Sequence, residues 1–285
     1  MGKKELFSTP ENFTLDHYIA ELAGLNRVGA YEEVLSSTPP CYSHDSVGNP
    51  YPMLERGLAL TMQANYAEAE MVLAAAEYNA AKTGNIPALL NAKAGLLYLF
   101  RTGDRPQKSH PFSKDIVGSR RMADEIEKIL ATSPEPCIEI SKAFNEIGLW
   151  VQEDVGIEDA IKYYKKGLEN GQTVLEQDPD NEVNKAIYNR TLQLLGVAYE
   201  KLEGYDQATG YQVKALGGFE KIGDVHNQRN AHISLGRIAG AQGNAEEARK
   251  QYEVAKQLCF NDKGEILSGA ETHSIIINKA LEELA

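Results

Sequence analysis

Four segments of this chain share one internal spacing. They are Gly57, Ala69, Leu73, Ala76; Gly148, Ala160, Tyr164, Gly167; Gly196, Ala208, Tyr211, Ala215; and Gly236, Ala248, Tyr252, Ala255. In each, Ala follows the glycine by twelve positions, a bulky residue comes three or four later, and a second small residue stands at position nineteen. Self-similarity of this kind marks an array whose units cannot bury an apolar face alone and therefore stack on their neighbours. That constraint precedes any propensity argument: the chain is a repeat protein before it is anything else.

Each unit reads as two antiparallel helices, with the glycine in the first and the alanine in the second. Close approach of two helices needs small side chains at the crossing. The bulky residue and the second small residue follow the alanine by about one and two turns on the same face, and the bulky residue is expected to fill the groove to the next pair. The breaks agree. Gln152 to Gly156 precedes Ile157-Glu158-Asp159-Ala160, Glu203-Gly204-Tyr205-Asp206 precedes Gln207-Ala208, and Gly243-Asn244 precedes Ala245-Glu246-Glu247-Ala248. Gly, Asn or Asp stands before a helix whose early carboxylates suit the positive end of its dipole.

Leu195-Gly196, Tyr199, Ala208 and Ala215, together with Leu235-Gly236, Ala248, Tyr252 and Ala255, resemble the tetratricopeptide repeat. The resemblance is clearest over 50–82 and 140–260. It departs from the usual pattern where Phe144, Leu192 and His232 occupy the tryptophan position. The glycines are 48 and then 40 residues apart, against the 34 of the standard repeat. Lys221-Ile222-Gly223-Asp224, leading into Asn230 to Gly236, is similar to the longer variant of kinesin light chain and LGN-type scaffolds. The resemblance implies a groove that binds peptide segments. The positions matching the chaperone C-terminus clamp hold Asn145, Leu149, Leu194, Asn230 and Ser234, so that carboxylate clamp is not expected.

The expected fold is an all-α, right-handed solenoid of about six helix pairs plus a capping helix, one continuous unit over 1–285. Residues 12–36 read as an irregular first pair, 53–82 as a repeat, and 138–175, 184–220 and 227–260 as the best-formed repeats. Pro39-Pro40 to Pro52 holds four prolines and is expected to be loop. The repeat over 87–131 is interrupted at 102–118 by about seventeen residues with Gly103, Pro106, Pro111 and Gly118, longer than connections usually are. From Arg101 to Arg121 there are six Arg or Lys residues and two Asp. Arg105, Lys108, His110 and Lys114 therefore make a possible secondary basic site. Residues 268–284 read as the cap. Ser268 and Glu271 suit a capping box, and Ile275, Ile276, Leu281 and Leu284 mark a packed face.

The chain carries 41 acidic against 29 basic residues, a net charge of −12. General nucleic-acid binding needs a basic face that displaces counterions, so it is not expected. No apolar run reaches the roughly 18 residues of a membrane span, and Met1 to Leu6 shows no signal core. Three widely separated cysteines, Cys41, Cys137 and Cys259, read as reduced thiols. Together these features predict a cytoplasmic protein without membrane contact.

No metal motif, phosphate loop or nucleophile elbow is present, so no metal, cofactor or catalytic residue is expected. Steps of −6, −3, +1 and +4 from each repeat glycine stay on one face of the first helix, the face that lines the inside of such arrays. They give Lys142, Asn145, Leu149 and Gln152; Arg190, Gln193, Val197 and Glu200; Asn230, Ile233, Arg237 and Gly240. Amides and cations interleaved with apolar side chains suit an extended peptide better than a small apolar ligand. The expected groove residues are Lys142, Asn145, Gln152, Arg190, Gln193, Asn230 and Arg237. The first reading is a non-enzymatic scaffold or adaptor with a protein or peptide partner. The alternative is a ligand- or peptide-sensing regulatory module, and behind both stands an enzyme with a site under loop 102–118.

Overall fold

The computed structural model describes residues 31–37, 50–63, 65–102, 116–132, 135–261, 263–267 and 269–284. They form twelve helices: α1 (Tyr31–Ser37), α2 (Tyr51–Met62), α3 (Tyr66–Thr83), α4 (Ile86–Thr102), α5 (Ile116–Leu130), α6 (Ile138–Asp154), α7 (Ile157–Gln177), α8 (Glu182–Lys201), α9 (Tyr205–Lys221), α10 (Val225–Ala241), α11 (Ala245–Gln257) and α12 (Glu271–Glu283). Five antiparallel pairs, α2–α3 to α10–α11, are flanked by α1 and α12, and consecutive helices pack on one another. The fold is a right-handed α-solenoid. The first part of the expected pair at 12–36, and Cys41, lie outside the described residues.

The repeat glycine works differently from its expected role. A Cβ on Gly148 would stand 2.4 Å from Tyr164 Cε1, one on Gly57 2.7 Å from the Leu73 side chain, and one on Gly236 2.9 Å from Tyr252 Cε1. The bulky residue sixteen positions on therefore seats against the glycine of its own pair, and the glycine's missing side chain makes its pocket. At Gly196 the occupant is Gln212, with Nε2 2.7 Å from the built Cβ, and not Tyr211. Tyr211 instead stacks on Tyr199 with ring centroids 5.6 Å apart. Leu73 also approaches Gly95 of the next pair, 3.1 Å from its built Cβ, so Gly95 is a fifth repeat glycine.

The turns repeat as closely as the seams do. Asn85, Gly204, Asp224 and Asn244 each donate their backbone N–H back to the carbonyl five residues earlier, over 2.9–3.0 Å. The residue before each donor takes a left-handed backbone: Gly84, Glu203, Gly223 and Gly243. Glu203 is the one non-glycine, at φ 57°. Asn181, Asp224 and Asn244 cap α8, α10 and α11 through side-chain oxygens, which satisfies donors that a helix start leaves open.

Two boundaries differ from expectation. Helix α2 begins at Tyr51, with Pro50 at its cap and Pro52 in the first turn. Proline there lacks only an N–H that would have no intrahelical partner, so the proline-rich stretch ends in helix and not in loop. Helix α12 begins at Glu271 after Ala270, which makes no side-chain cap bond, and Ser268 is outside the described residues. Its buried residue is Ile277, at 0% exposure, while Ile275 and Ile276 are 70% and 47% exposed.

The core comes in unequal pieces. One cluster runs without a break from Met53 on α2 to Ala198 on α8. Leu192, Ala215 and Phe219 make a small second piece between α8 and α9. A third holds Ile233, Tyr252, Ala255, Cys259, Ala270 and Ile277 at α10–α12. Buried amides join these pieces. Gln212 Nε2 donates to the Gln193 carbonyl (3.2 Å), Gln193 Nε2 to the Asn227 carbonyl (3.3 Å), and Gln228 Nε2 to the Phe219 carbonyl (3.2 Å).

Candidate functional site: the wall of first helices

α2, α4, α6, α8 and α10 are the first helices of the five pairs, and each packs on the next in the row. In a superhelical array such a row faces inward and presents an extended surface. The face read from sequence falls on this wall and divides into two strips. The −3 positions Asn145, Gln193 and Ile233 are 5%, 2% and 5% exposed. Lys142, Leu149, Gln152, Arg190, Val197, Glu200 and Asn230 are half-buried, and Arg237 is exposed. The −3 position lies about 60° round from the glycine that marks the packed seam and −6 and +1 about 100–120° round; +4, at about 40°, is only half-buried at Gln152 and Glu200, so the neighbouring helices and not the turn alone set the split.

The seven expected groove residues separate accordingly. Asn145 Nδ2 donates to Thr191 Oγ1 over 2.9 Å, in the buried seam between α6 and α8. Gln193 is spent on the joints around α9 and α10. Both are corrected from groove to packing residues, because their amides face helix seams. Arg237 forks onto Glu200, with Nε–Oε1 at 2.7 Å and Nη2–Oε2 at 2.9 Å, so its charge is neutralised on the wall. Of the remaining four, Lys142, Gln152 and Asn230 keep unused capacity. Lys142 and Asn230 make no side-chain hydrogen bond or ion pair among the described residues. Gln152 accepts a 3.4 Å contact from the Tyr164 hydroxyl, which leaves its amide donors available. Arg190 donates to the Gln193 side-chain oxygen and makes no ion pair among the described residues.

A charge cluster that the sequence reading missed sits on the same wall. Arg101, at the end of α4, reaches across to α6, 2.5 Å from Glu153 Oε1 and 3.5 Å from Glu146 Oε2. Its side chain is 9% exposed, and its guanidinium lies 5.3 Å from the Tyr98 ring centroid. Burial pushes the Glu146 carboxyl up, against the pull of Arg101 and then Arg190. Burial pushes the Arg190 guanidinium down, with Glu146 and Tyr164 opposing. Two cations and two carboxylates thus form a balanced set, which suits holding α4 against α6 more than moving protons. The signal that could have found it was Gly95. Its place in the repeat would have put Tyr98 and Arg101 one and two turns along the same helix, but the position twelve residues on, Gln107, breaks the Ala pattern.

Arg105, Lys108, His110 and Lys114 lie outside the described residues. Among the described residues no group of three or more His, Cys, Asp or Glu side chains is gathered as a metal site requires, and no helix is long and apolar enough to cross a membrane. Shallow surface depressions among the described residues include one lined by Val117, Arg120, Arg121, Asp124, Glu125 and Lys128 on α5 and one lined by Glu253, Lys256, Gln257 and Phe260. Neither is on the first-helix wall.

No protein-family model matches the chain. No curated protein matches it either. Solved structures do. The chain is similar to BtubC (BKLC) from P. vanneervenii at a TM-score of 0.57 and 16% identity, covering 87% of this chain and 91% of that one. It is also similar to a signal transduction ATPase with numerous domains, with a tetratricopeptide repeat sensor, from Pyrococcus horikoshii. There the TM-score is 0.60 and the identity 12%, over 96% of this chain and 40% of the other, so this chain spans less than half of that protein. At these identities the likeness is one of fold, and the fold is tetratricopeptide-repeat-like.

Proposed function

We propose that this chain is a non-enzymatic interaction scaffold that holds a peptide segment of a protein partner along its first-helix wall. The observation that carries the reading is the unspent hydrogen-bonding capacity of Lys142, Gln152 and Asn230, set beside half-buried Leu149 and Val197. Amide and cationic donors suit the carbonyls of an extended backbone, and the apolar side chains between them suit alternate side chains of the same segment. A wall already fixed by helix packing lowers the ordering cost of binding. The balanced Arg101 cluster and the shallow outer depressions favour binding over catalysis.

The test is a peptide-display selection on the intact chain, followed by titration of a selected peptide. Lys142→Ala/Asn230→Ala should weaken it by about tenfold or more, the loss of one to two charge-assisted or neutral hydrogen bonds. Unchanged affinity in that variant would place the binding surface elsewhere. A second reading, a sensing module, is supported by the fold likeness to the protein described with a tetratricopeptide repeat sensor. Under that reading, ligand binding shifts the packing between pairs.

A further inference from the structure

Helix α12 is attached to the array by two different contacts. One is apolar: Ala270 and Ile277, both at 0% exposure, close on Tyr252, Ala255 and Cys259 of the preceding helix and turn and on Ile233 of α10. Arg249 of α11 donates to the Leu284 carbonyl at the far end, over 2.6 Å. The other contact is a pair of imidazoles. His273, in the first turn of α12, meets His226, in the first turn of α10, edge to face with ring centroids 5.6 Å apart and planes at 90°.

The surroundings of that pair are poor in negative charge. Arg229 of α10 is 2% exposed. Its Nε and Nη2 donate to the Leu258 carbonyl over 3.1 and 3.0 Å, while Nη1 has no partner. The groups that face the imidazoles are Arg229, Arg190 of α8, and Asp224 at the α10 cap. Glu271 and the Cys259 thiol face Arg229 in turn. Asp224 is committed elsewhere, accepting from Asn227 N (3.0 Å) and Asn227 Nδ2 (2.8 Å). Among the described residues no carboxylate makes an ion pair with His226, His273 or Arg229.

We propose that the His226–His273 contact is an acid-sensitive latch: with both imidazoles protonated, the start of α12 leaves α10 and the Ile277 seam opens, while the pairs before it stay folded. Two imidazolium rings in edge contact beside a buried guanidinium repel one another, and the apolar seam behind them is short. Release would expose Ile277 together with Ala280, Leu281 and Leu284, which pack on the same cluster in the docked state and share one helix face at i, i+3, i+4 and i+7.

The direction of the pH response follows from the docked state. Burial first, then Arg229, holds both imidazoles below their ordinary pKa; His273 adds to this at His226. Asp224 and the Gly269 carbonyl oppose it only in part. With α12 released, the two imidazoles, now apart, titrate at about 6.5. Docking is therefore complete above that value and weakens as pH falls through it toward the docked pKa values. The ceiling is about tenfold per pH unit for each proton taken up, and the solvent contact of His226 keeps its share below that ceiling.

Hydrogen exchange of the intact chain, resolved by segment and corrected for intrinsic rates, tests the latch at pH 7.5 and 5.5. Protection over 271–283 should fall severalfold in acid, up to a ceiling of about tenfold per imidazole, while protection over 138–154 holds. His226→Gln, a change at an exposed side chain, and His273→Gln should each shrink the acid effect. Equal α12 protection at the two pH values overturns the latch. So does an acid loss that both variants share with the unaltered chain, since other groups would then carry it.

Discussion

The stretch from α2 to α8 and the stretch from α9 to α12 follow one repeat rule and are held together differently. In the first, a single apolar cluster passes through every pair, and bulky Leu73 and Tyr164 seat on Gly57 and Gly148. At the join between them, the seat at Gly196 of α8 holds Gln212 of α9, and in the second stretch the apolar pieces are joined through side-chain amides and Arg229. A buried amide that finds its partner contributes about 1 kcal/mol and leaves a penalty wherever an atom goes unpaired. Gln212 Oε1 and Arg229 Nη1 are such atoms in the second stretch, as Asn145 Oδ1 and Trp150 Nε1 are in the first. Repeat proteins are stable nearly as the sum of their units and neighbour interfaces.

The largest test of that contrast is to overfill the two seats. Gly148→Ala puts a methyl 2.4 Å from Tyr164, whereas Gly236→Ala puts one 2.9 Å from Tyr252. Overpacking of this kind costs about 1–3 kcal/mol. Denaturant melts should show Gly148→Ala near the upper figure and Gly236→Ala near the lower. Equal losses would erase the difference in tightness between the two regions.

Next in size is the cross-link between α4 and α6. Arg101→Met leaves Glu146 and Glu153 facing each other without their cation, and should cost about 2 kcal/mol, reduced from a fully buried pair because Glu153 keeps solvent contact. Gln212→Leu tests the contrast from the other side. It gives up one hydrogen bond, fills the Gly196 seat as Leu73 fills that of Gly57, and removes an unpaired oxygen. Stability should change by less than about 1 kcal/mol and in the stabilising direction. A loss above that size would make the amide joint a source of strength. Smallest of all, Glu203→Gly relieves the left-handed backbone and should add about 0.5–1 kcal/mol.

The two regions should also answer pH in opposite directions. Lys93 on α4, 8% exposed at its side chain, bridges Glu77 of α3 (2.5 Å) and Glu125 of α5 (2.6 Å). Burial works against its charge, the two carboxylates outweigh it, and its pKa is raised. The stabilisation is complete below the ordinary lysine value of about 10.4 and is lost as pH climbs beyond it toward the raised value. Alkali should loosen α3–α5 first and acid α12 first. Circular dichroism with segment-resolved exchange at pH 5.5, 7.5 and 11 distinguishes them.

Much of this was legible in the sequence because the glycine period is written in small residues that tolerate no substitute. The pairs, the turns at Gly156, Gly204 and Gly243, and the row of first helices all follow from it. Other features were not legible, for particular reasons. Helical stepping puts Asn145 and Lys142 on one face, but only packing shows that the −3 strip turns into the seam. Gln212 looks like a surface residue beside Tyr211 until the sixteen-residue offset of Leu73, Tyr164 and Tyr252 is seen. Ile275, Ile276 and Ile277 are equivalent by composition, and which one is buried depends on the angle at which α12 meets α11. Arg101 joins residues some fifty positions away, a distance at which no local pattern speaks.

Binding on the first-helix wall is tested by a photo-crosslinking amino acid, whatever the partner's identity. Placed at Val197 on the wall, or at Val213 on α9, 53% exposed, it reports which side of the array a partner touches in lysate. The expected result is a discrete protein adduct at Val197 that Lys142→Ala/Asn230→Ala abolishes, with none at Val213. Adducts confined to Val213, or a Val197 adduct indifferent to the double substitution, would contradict it.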